Sequence, residues 1–345
     1  MYTIYSFSFG KDRRKNMKVV LMGTETRQTK FGYDIDIKGA ELIPVAADAS
    51  PADLAAKAAD AEYAVIDAIS LFTAEHMDAM PKLKLIHSEG VSINKIDTAA
   101  AAERGIIVCS NKGANAVSVA EHTLTLIMAL TKSIYPAYKA VMYGRQIETK
   151  TSMIKEGIKE LSDYSLGLIG FGDIAKELAR MIQPFGTKVY YNDLFRPSKE
   201  IEEKYNVTYI EKEDLIANCD IISLHVPVLP STENMVNKEF LSKMKKGSFF
   251  INTARGELMV NEDVIEALSI GKLAGAAFDT IAPEPVLADN PWLSIPQEIA
   301  DKVIITPHIA GVTINMFRKA YRTIWSNIFK VEAGEEPVNW VNKKK

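Results

Sequence analysis

The sequence has 345 residues, of which 41 are Lys or Arg and 44 are Asp or Glu, giving a net charge of −3 with 47% hydrophobic and 25% charged residues. These values are typical of a globular protein and exclude a disordered chain, a collagen-like repeat and a strongly basic protein that binds nucleic acid through its phosphates. The length favours two domains, and the longest apolar runs are much shorter than the roughly 20 residues of a membrane helix.

The cysteine content and the first residues of the chain indicate the cellular compartment of the protein. Only Cys109 and Cys219 are present, and residues 1–16 lack the continuous apolar core and cleavage site of a secretory signal. We therefore expect a cytoplasmic protein without a structural disulfide. Because Met17 begins the first strand pattern, we interpret residues 1–16 as an extension.

From residue 17 onward, short apolar runs alternate with helical patterns, which is typical of a doubly wound parallel sheet. An Ala-rich segment at 94–104 is followed by Gly105, where a helix is expected to end. Residues 115–143 contain no glycine and predict one long helix that leaves this domain, and the polar residues 142–165 predict a connecting region. The predicted strands of this part are 18–22, 63–66, 83–86 and 106–109.

A second alternating series predicts a complete dinucleotide-binding sheet, because six apolar runs are each followed by a helix or a turn. The amphipathic helix predicted at 312–331 comes too late in the chain to belong to this sheet, and we expect it to return to the first domain. The predicted strands of the second sheet are 166–169, 188–191, 220–224, 248–252, 274–278 and 303–306. The fold class predicted is therefore α/β, with two doubly wound parallel-sheet domains.

The clearest motif is G-x-G-x-x-A at 170–175, between a predicted strand and a predicted helix. Gly170 permits a tight turn, and Gly172 leaves room for a pyrophosphate to meet backbone N–H groups. Asp193 ends the next strand, 21 residues beyond Gly172, where a carboxylate accepts hydrogen bonds from an adenosine ribose. Asp193 would repel a 2′-phosphate, which favours NAD over NADP, whereas Arg196 opposes this preference.

Three residues after strand ends predict a catalytic site. Of the five histidines, only His308 lies in a Thr-Pro-His turn at the end of a buried strand, where an imidazole can exchange protons. Arg255 and Glu284 follow other strands of the same sheet. A guanidinium holds a substrate carboxylate with two hydrogen bonds, and a carboxylate beside an imidazole favours the imidazolium form. Each residue alone is more often structural or a surface charge, so the prediction depends on their shared edge.

These motifs together resemble the NAD-dependent D-isomer-specific 2-hydroxyacid dehydrogenases, in the right order from about residue 83 to Gly311. The resemblance also includes Ala-Asn-Ala-Val-Ser-Val-Ala-Glu-His at 114–122. It implies a Rossmann cofactor domain at 115–311, inserted into a split flavodoxin-like catalytic domain formed by 17–114 and 312–335. It further implies a homodimer with no metal.

By this resemblance, Arg255 binds the substrate carboxylate, His308 is the acid/base and Glu284 pairs with His308, while a hydride passes between NAD(H) and C2 of a small D-2-hydroxy or 2-oxo acid. A glycine-bearing loop with Glu89, Gly90 and Val91 would hold the substrate. The residues expected to contact NAD are Gly170, Phe171, Gly172, Asp173, Ile174, Asp193, His225, Pro227, Thr232, Thr253, Ala254, Arg255, Asp279, His308 and Gly311.

Departures from the family pattern leave the substrate unassigned. Glu89 adds a negative charge beside the substrate loop, and Ser92 breaks the commoner pattern. The main alternative function is a non-enzymatic NAD-sensing scaffold on the same fold, which the presence of Arg255, Glu284 and His308 disfavours. A formate dehydrogenase is disfavoured because that branch resembles a Gln–His pair. A phosphoglycerate dehydrogenase with a regulatory tail is disfavoured because only 34 residues follow Gly311.

Overall fold

The computed structural model describes residues 17–37 and 39–343, so the interpretation of residues 1–16 as an extension lies outside the described residues. The chain divides into two compact units. The first unit is the chain up to Asn115 together with the segment that begins at Thr313, and the second unit is Ala116–Val312.

Strands and helices alternate along both units. The strands are β1 (Met17–Met22), β2 (Ala40–Val45), β3 (Tyr63–Ile66), β4 (Leu85–Ser88), β5 (Ile107–Cys109), β6 (Ser165–Ile169), β7 (Lys188–Asn192), β8 (Val207–Tyr209), β9 (Ile221–Leu224), β10 (Ser248–Asn252), β11 (Leu273–Phe278) and β12 (Val303–Ile305). The α-helices are α1 (Glu25–Phe31), α2 (Pro51–Ala58), α3 (Ala74–Asp78), α4 (Thr98–Glu103), α5 (Ala116–Thr131), α6 (Ile134–Met142), α7 (Gln146–Glu156), α8 (Asp173–Ile182), α9 (Lys199–Tyr205), α10 (Lys212–Asn218), α11 (Lys238–Lys243), α12 (Asn261–Ser269), α13 (Gln297–Ala300) and α14 (Ile314–Glu332). Short 3₁₀ helices form at Leu161–Asp163, Gln183–Phe185, Gly256–Leu258 and Pro291–Ser294.

The first unit contains a parallel sheet with the strand order β2-β1-β3-β4-β5, which is the flavodoxin-like order. All four residues of β3 are buried, as expected for a parallel strand covered on both faces. The late helix α14 packs into this unit. Its side chains at helical spacing, Tyr321, Ile324 and Ile328, are fully buried in the same cluster as Val19 of β1.

The second unit contains a seven-stranded parallel sheet with the order β12-β11-β10-β9-β6-β7-β8. Counted from β6, this is the Rossmann order 3-2-1-4-5-6 with one more strand beyond the sixth. The order reverses between β6 and β9, and the crevice outside their carboxyl ends is where such sheets bind ligands. The predicted class, two parallel-sheet α/β domains, is confirmed.

Two strands were not predicted, and both are edge strands. β2 has no fully apolar run, and it tolerates Pro44 because an edge strand has one side without ladder hydrogen bonds. β8 has only three residues, of which one is buried. A half-exposed edge strand therefore lacks the continuous apolar run on which the predictions relied.

The prediction of one long helix at 115–143 is wrong, because the chain forms α5 and α6 with a break between them. Ser133 at the break adopts a positive φ of 50°. Pro136 lies in the first turn of α6, where its missing N–H costs nothing, whereas in a continuous helix its ring would clash with the preceding turn. The predicted connecting region at 142–165 also contains a helix, α7, none of whose residues is buried.

Candidate functional site

The loop after β6 turns sharply into α8. Gly170 has a φ of +94°, and a Cβ at this position would lie 2.5 Å from the carbonyl oxygen of His225, so the turn requires glycine. A Cβ on Gly172 would meet no atom within 4 Å, which leaves open space beside the first N–H groups of α8. Ala175 is fully buried and lets α8 pack close to the sheet. The space and the N–H groups fit a pyrophosphate.

The residues around this turn differ in accessibility. Phe171 is 4% exposed and its ring lies 4.4 Å from that of Tyr191, so only its backbone is available to a cofactor. Asp173 is exposed at the first position of α8, and Ile174 is half-buried behind it. The prediction that Phe171 contacts NAD therefore applies only to its main chain.

Asp193 follows β7 and faces the same turn. Its Oδ2 accepts a 2.6 Å hydrogen bond from the Phe171 N–H, and its Oδ1 accepts one of 2.8 Å from the Phe195 N–H. Arg196 is bound to Glu202 through a 2.8 Å ion pair and lies over the ring of Tyr209. Arg196 is thus paired with a carboxylate other than Asp193, and the turn with Asp193 fits the adenosine half of NAD.

The loop after β9 is tied together by its own polar groups. Burial lowers the pKa of His225 to about 4, so its imidazole is neutral at neutral pH, and its Nε2 lies 2.9 Å from the Ser223 hydroxyl. Thr232 donates a 2.7 Å hydrogen bond to the Pro227 carbonyl and closes the following turn. His225 thus lies beside Gly170 at the reversal of strand order without carrying a charge.

Three neighbouring strands of the second sheet end at the same level. Asn252 of β10, Phe278 of β11 and Ile305 of β12 are paired in register. The N–H of Asp279 donates to the Asn252 carbonyl at 3.1 Å, and the N–H of Thr306 donates to the Phe278 carbonyl at 2.9 Å. The loops that carry the three predicted catalytic residues therefore start from one edge.

The Arg255 loop is fixed by the side chain of Asn252. The side-chain N–H of Asn252 donates a 2.8 Å hydrogen bond to the Arg255 carbonyl, and its side-chain oxygen accepts a 3.0 Å hydrogen bond from the Ala254 N–H. Thr253 is buried against the Thr123 hydroxyl at 2.8 Å. The Arg255 guanidinium donates to the Ala254 carbonyl at 2.6 Å, and no carboxylate of the described residues pairs with it. A half-buried guanidinium in this state can bind a carboxylate ligand.

His308 and Glu284 form a pair at the end of the same edge. His308 Nδ1 lies 3.0 Å from both Oε1 and Oε2 of Glu284. Both side chains are nearly half exposed, at 45% and 43%. In the part of the chain that is described, Nε2 of His308 has no hydrogen-bond partner, so it is available to exchange a proton with a ligand. The two contacts with the Glu284 carboxylate orient the ring of His308.

Asp279 organises the backbone under this pair. Its carboxylate is 1% exposed and accepts hydrogen bonds from the Thr306 hydroxyl and from the N–H groups of Ile309 and Ala310, at 2.6, 2.9 and 2.8 Å. The Asp279 carbonyl also accepts 2.8 Å from the His308 N–H. These contacts place the Asp279 side chain inside the loop, so it positions His308. Gly311 is partly buried at the end of this loop.

The sequence reasoning missed the residues that hold the Glu284 loop. A Cβ on Gly256 would lie 2.2 Å from the Ala282 nitrogen, so the Arg255 loop and the Glu284 loop touch only because residue 256 is glycine. The Ala282 carbonyl accepts hydrogen bonds from Asn261 and Asn290, at 2.9 and 3.0 Å. The glycine directly after Arg255 in the Asn-Thr-Ala-Arg-Gly motif is the sequence signal that could have indicated this close contact between the two loops.

In the first unit, Glu89 does not present its charge to solvent. Its side chain is 6% exposed, and Oε2 accepts a 2.6 Å hydrogen bond from Arg27 Nε, while Oε1 accepts a hydrogen bond from the Tyr321 hydroxyl. Burial raises the pKa of Glu89, and the contacts with Tyr321 and Arg27 oppose that rise. The Glu89 N–H also donates a 2.8 Å hydrogen bond to the Ile66 carbonyl, so neither the side chain nor the N–H of Glu89 is available to a substrate.

The neighbouring Gly90 loop has the features of an anion-binding loop. Asn111 supports this loop with two hydrogen bonds: its side-chain amide donates to the Glu89 carbonyl at 2.8 Å, and its backbone N–H donates to the Gly90 carbonyl at 2.9 Å. No acceptor within residues 17–37 or 39–343 contacts the N–H of Gly90 or Val91. Two available backbone donors in one turn suit a carboxylate.

Metal-ligand clusters and membrane-spanning helices were both sought among the described residues. No group of three or more His, Cys, Asp or Glu side chains among them is arranged to hold a metal ion. In the same residues, no helix is long and apolar enough to span a membrane.

Comparisons with known proteins agree with this geometry. A family model described as D-isomer specific 2-hydroxyacid dehydrogenase, NAD binding domain, matches residues 124–310. The chain is 35% identical over 271 residues to the glyoxylate reductase of Thermofilum pendens, which covers 79% of this chain and 78% of that protein. It is 33% identical over 244 residues to a formate dehydrogenase of Arabidopsis thaliana, which covers 70% of this chain and 62% of that protein.

A solved structure of a D-lactate dehydrogenase is also similar to this chain. The D-lactate dehydrogenase of Lactobacillus jensenii with NAD⁺ matches with a TM-score of 0.75 and 26% identity, covering 95% of this chain and all of that chain. The family model spans more than half of the residues, and the domain that it describes binds NAD. The chain belongs to the D-isomer-specific 2-hydroxyacid dehydrogenases.

Proposed function

We propose that His308, Glu284 and Arg255 carry out hydride and proton transfer between NAD(H) and a D-2-hydroxy acid or its 2-oxo acid. The observation that carries this proposal is the His308–Glu284 pair, with Nδ1 at 3.0 Å from both carboxylate oxygens and Nε2 available for a ligand. Arg255, without a carboxylate partner in the described residues, lies on the same strand edge. A proton donor beside a carboxylate-binding cation is what reduction of a 2-oxo acid requires.

In the reduction direction, protonated His308 donates a proton from Nε2 to the alkoxide that develops at C2. Bound NADH supplies the hydride from C4 of its nicotinamide. Arg255 binds the carboxylate and stabilises the negative charge on the reacting oxygen. In the oxidation direction, neutral His308 removes the hydroxyl proton, and Glu284 stabilises the imidazolium that results.

The cofactor-contacting positions expected from the resemblance keep their place in the proposal. When NAD is bound, the N–H groups of Gly172 and Asp173, in the turn that Gly170 and Phe171 form, would hold the pyrophosphate, and Asp193 would accept hydrogen bonds from the ribose. The Gly90 and Val91 N–H groups bind the carboxylate of the substrate. The remaining proposed cofactor contacts are Ile174, His225, Pro227, Thr232, Thr253, Ala254, His308 and Gly311. Asp279, which the resemblance also places at the cofactor, has its carboxylate inside the loop and positions His308 instead.

A panel of 2-oxo acids tests this function. The purified chain is mixed with NADH and glyoxylate, hydroxypyruvate, pyruvate or longer branched acids, and NADH oxidation is followed by absorbance. We expect reduction of at least one acid by the wild type. NADH binding without turnover of any acid would support the non-enzymatic scaffold. Oxidation of formate with NAD⁺, and no reduction of 2-oxo acids, would support a formate dehydrogenase.

We also propose a homodimer in the cytoplasm. The second unit exposes a row of large apolar side chains on α6 and α7, including Tyr138, Met142 and Ile147 at 61%, 67% and 71% exposure. Apolar patches of this kind are typical of protein interfaces, and a second copy of the chain is the partner that the family resemblance implies. Buried free thiols at Cys109 and Cys219 are consistent with a reducing compartment.

A further inference from the structure

Two consecutive residues of α5, His122 and Thr123, contact the segments that follow two different strands of the second sheet. Nε2 of His122 lies 2.9 Å from the hydroxyl of Thr306, directly after β12. The hydroxyl of Thr123 lies 2.8 Å from that of Thr253, directly after β10. One turn of α5 therefore contacts both the loop with the proposed carboxylate-binding arginine and the loop with the proposed proton donor.

The hydrogen bonds at His122 run in one direction. The Thr306 hydroxyl has one proton, and the Asp279 carboxylate, at 2.6 Å, is its shortest contact and its only charged acceptor. The Phe278 carbonyl is farther away, at 3.3 Å. The Thr306 oxygen therefore accepts from His122, whose Nε2 carries the proton in this contact. A chain of donors thus runs from α5 through Thr306 to Asp279.

Asp279 transmits this contact to the backbone beside His308. Its carboxylate also accepts hydrogen bonds from the N–H groups of Ile309 and Ala310, and its carbonyl accepts one from the His308 N–H. Because Asp279 is buried, these protein donors, rather than solvent, fix the position of its carboxylate. Without the Thr306 contact the loop can shift, and the imidazole of His308 shifts with it.

The contact of Thr123 also has a direction. Its hydroxyl donates to the Val119 carbonyl at 2.7 Å within α5, so it accepts the proton of the Thr253 hydroxyl. Thr253 begins the Arg255 loop, and Asn252 of β10 holds the Arg255 carbonyl at 2.8 Å. The Arg255 loop is therefore attached to both β10 and α5.

We propose that His122 and Thr123 are positioning residues that set the distance between the proton donor His308 and the carboxylate-binding Arg255. The inference rests on the proposed function, because that function assigns the roles of His308 and Arg255. A substrate that contacts both groups needs them at a fixed separation, and a displacement of about 1 Å can lower the rate about 100-fold. A single 16-residue helix that contacts both loops maintains such a separation.

Removing the donor of His122 tests the first contact. His122→Leu has a similar volume and no side-chain N–H, so we expect kcat for the best 2-oxo acid of the panel to fall about tenfold, with little change in KM. Thr306→Val breaks the same chain at its next link and should lower kcat at least as much. His122→Gln keeps a side-chain N–H donor and should restore most of the rate. Thr125→Ala, on an exposed position of α5, is the control.

A double variant distinguishes positioning from a general structural role. If His122 acts through His308, then His122→Leu should have little further effect on the rate of His308→Asn. Urea unfolding verifies that each variant is folded, and Thr306→Val replaces His122→Leu if the latter does not fold. The inference would be overturned by a further tenfold fall in the His308→Asn background, or by an unchanged kcat in the single variants.

Thr123→Val tests the second contact. Valine has the shape of threonine without its hydroxyl, so KM for the 2-oxo acid should rise about fivefold, with a smaller change in kcat. Thr123→Ser keeps the hydroxyl and should resemble the wild type. An unchanged KM in Thr123→Val would remove Thr123 from the inference.

The same measurements separate this inference from the proposed function. Reduction that depends on His308 but on neither His122 nor Thr123 would overturn the inference and leave the proposed function intact. Reduction that does not depend on His308 would overturn the proposed function itself.

Discussion

His308 adopts a φ of +55°, in the left-handed region that residues other than glycine rarely occupy. Its neighbours hold it there: its N–H contacts the carbonyls of Asp279 and Thr306, and the Asp279 carboxylate binds the two N–H groups that follow. Such backbone strain is found most often at functional sites, where surrounding contacts fix it. The loop thereby presents the imidazole to Glu284.

Replacing Glu284 should slow reduction while leaving cofactor binding intact. Glu284→Gln removes the carboxylate that lies 3.0 Å from Nδ1 of His308 and orients its ring. We expect kcat for 2-oxo acid reduction to fall at least about tenfold, with little change in NADH affinity. Glu262→Gln, on the exposed start of α12, is the control. An unchanged kcat in Glu284→Gln would count against the pairing.

Asp193 should set the preference between the two nicotinamide cofactors. Asp193→Asn keeps an acceptor for the ribose and removes the charge that repels a 2′-phosphate, so the ratio of kcat/KM for NADH to that for NADPH should fall at least about tenfold. Asp193→Ala should narrow the ratio as well, with an additional loss from the two N–H groups that Asp193 binds. Equal use of both cofactors by the wild type would contradict this role.

Whether a site residue was predictable depended on how far apart its partners lie in the sequence. The glycine turn and the Thr-Pro-His turn are contiguous, and their chemistry follows from a few adjacent residues. Glu89, by contrast, pairs with Arg27, 62 residues earlier, and Tyr321, 232 residues later, and no local pattern indicates either contact. The sequence therefore indicates an acidic residue beside the loop, but neither its burial nor its two partners.

At the scale of elements, α14 holds β4 and the loop that follows it. Asn327 of α14 contacts Nε2 of His87 at 3.1 Å and also binds the backbone of Val338. Tyr321, on the same helix, binds Glu89 just beyond the end of β4. The periodicity of 312–331 predicted the helix, but the strand that it supports became visible only from the three-dimensional contacts.

His87 should make the first unit less stable in mild acid. Burial lowers the pKa of His87 to about 4, whereas in the unfolded chain it is near 6.5. Between these values the unfolded chain binds more protons, so the free energy of unfolding falls as pH decreases, by about 2 kcal/mol from pH 7 to pH 5.

Urea unfolding at both pH values checks this expectation. His87→Gln retains hydrogen-bonding groups and does not titrate, so its stability should vary less between pH 7 and pH 5, by about that amount. A loss of stability that is the same in the wild type and in His87→Gln would show that other groups cause it.

At the scale of the whole molecule, chain order predicted most of the architecture. Alternating apolar runs and helical patterns indicate parallel sheets, since parallel neighbours need a crossover connection. The apolar runs do not indicate the order of the strands within each sheet. They also do not reveal the edge strands β2 and β8, because these strands are only partly buried. The absence of glycine favours a continuous helix, but Pro136 does not fit the interior of one, which is why the chain breaks at Ser133.

The proposed homodimer predicts a mass twice that of the chain in light scattering at micromolar concentration. Ile147→Glu combined with Ile154→Glu places two charges on the exposed face of α7, where these residues are 71% and 69% exposed, and should yield monomers. Ile270→Glu, equally exposed elsewhere, should leave the mass unchanged. A wild-type monomer with full specific activity would contradict the proposal.

The central claim is that His308 transfers the proton, and single-turnover reduction by a His308 variant tests it most directly. His308→Asn suits the test because asparagine tolerates a positive φ, so the loop is expected to keep its backbone. With NADH bound and the best 2-oxo acid of the panel, we expect the rate of NADH oxidation to fall at least about 100-fold, while NADH affinity changes little. Oxidation of NADH at the wild-type rate by His308→Asn would contradict the account.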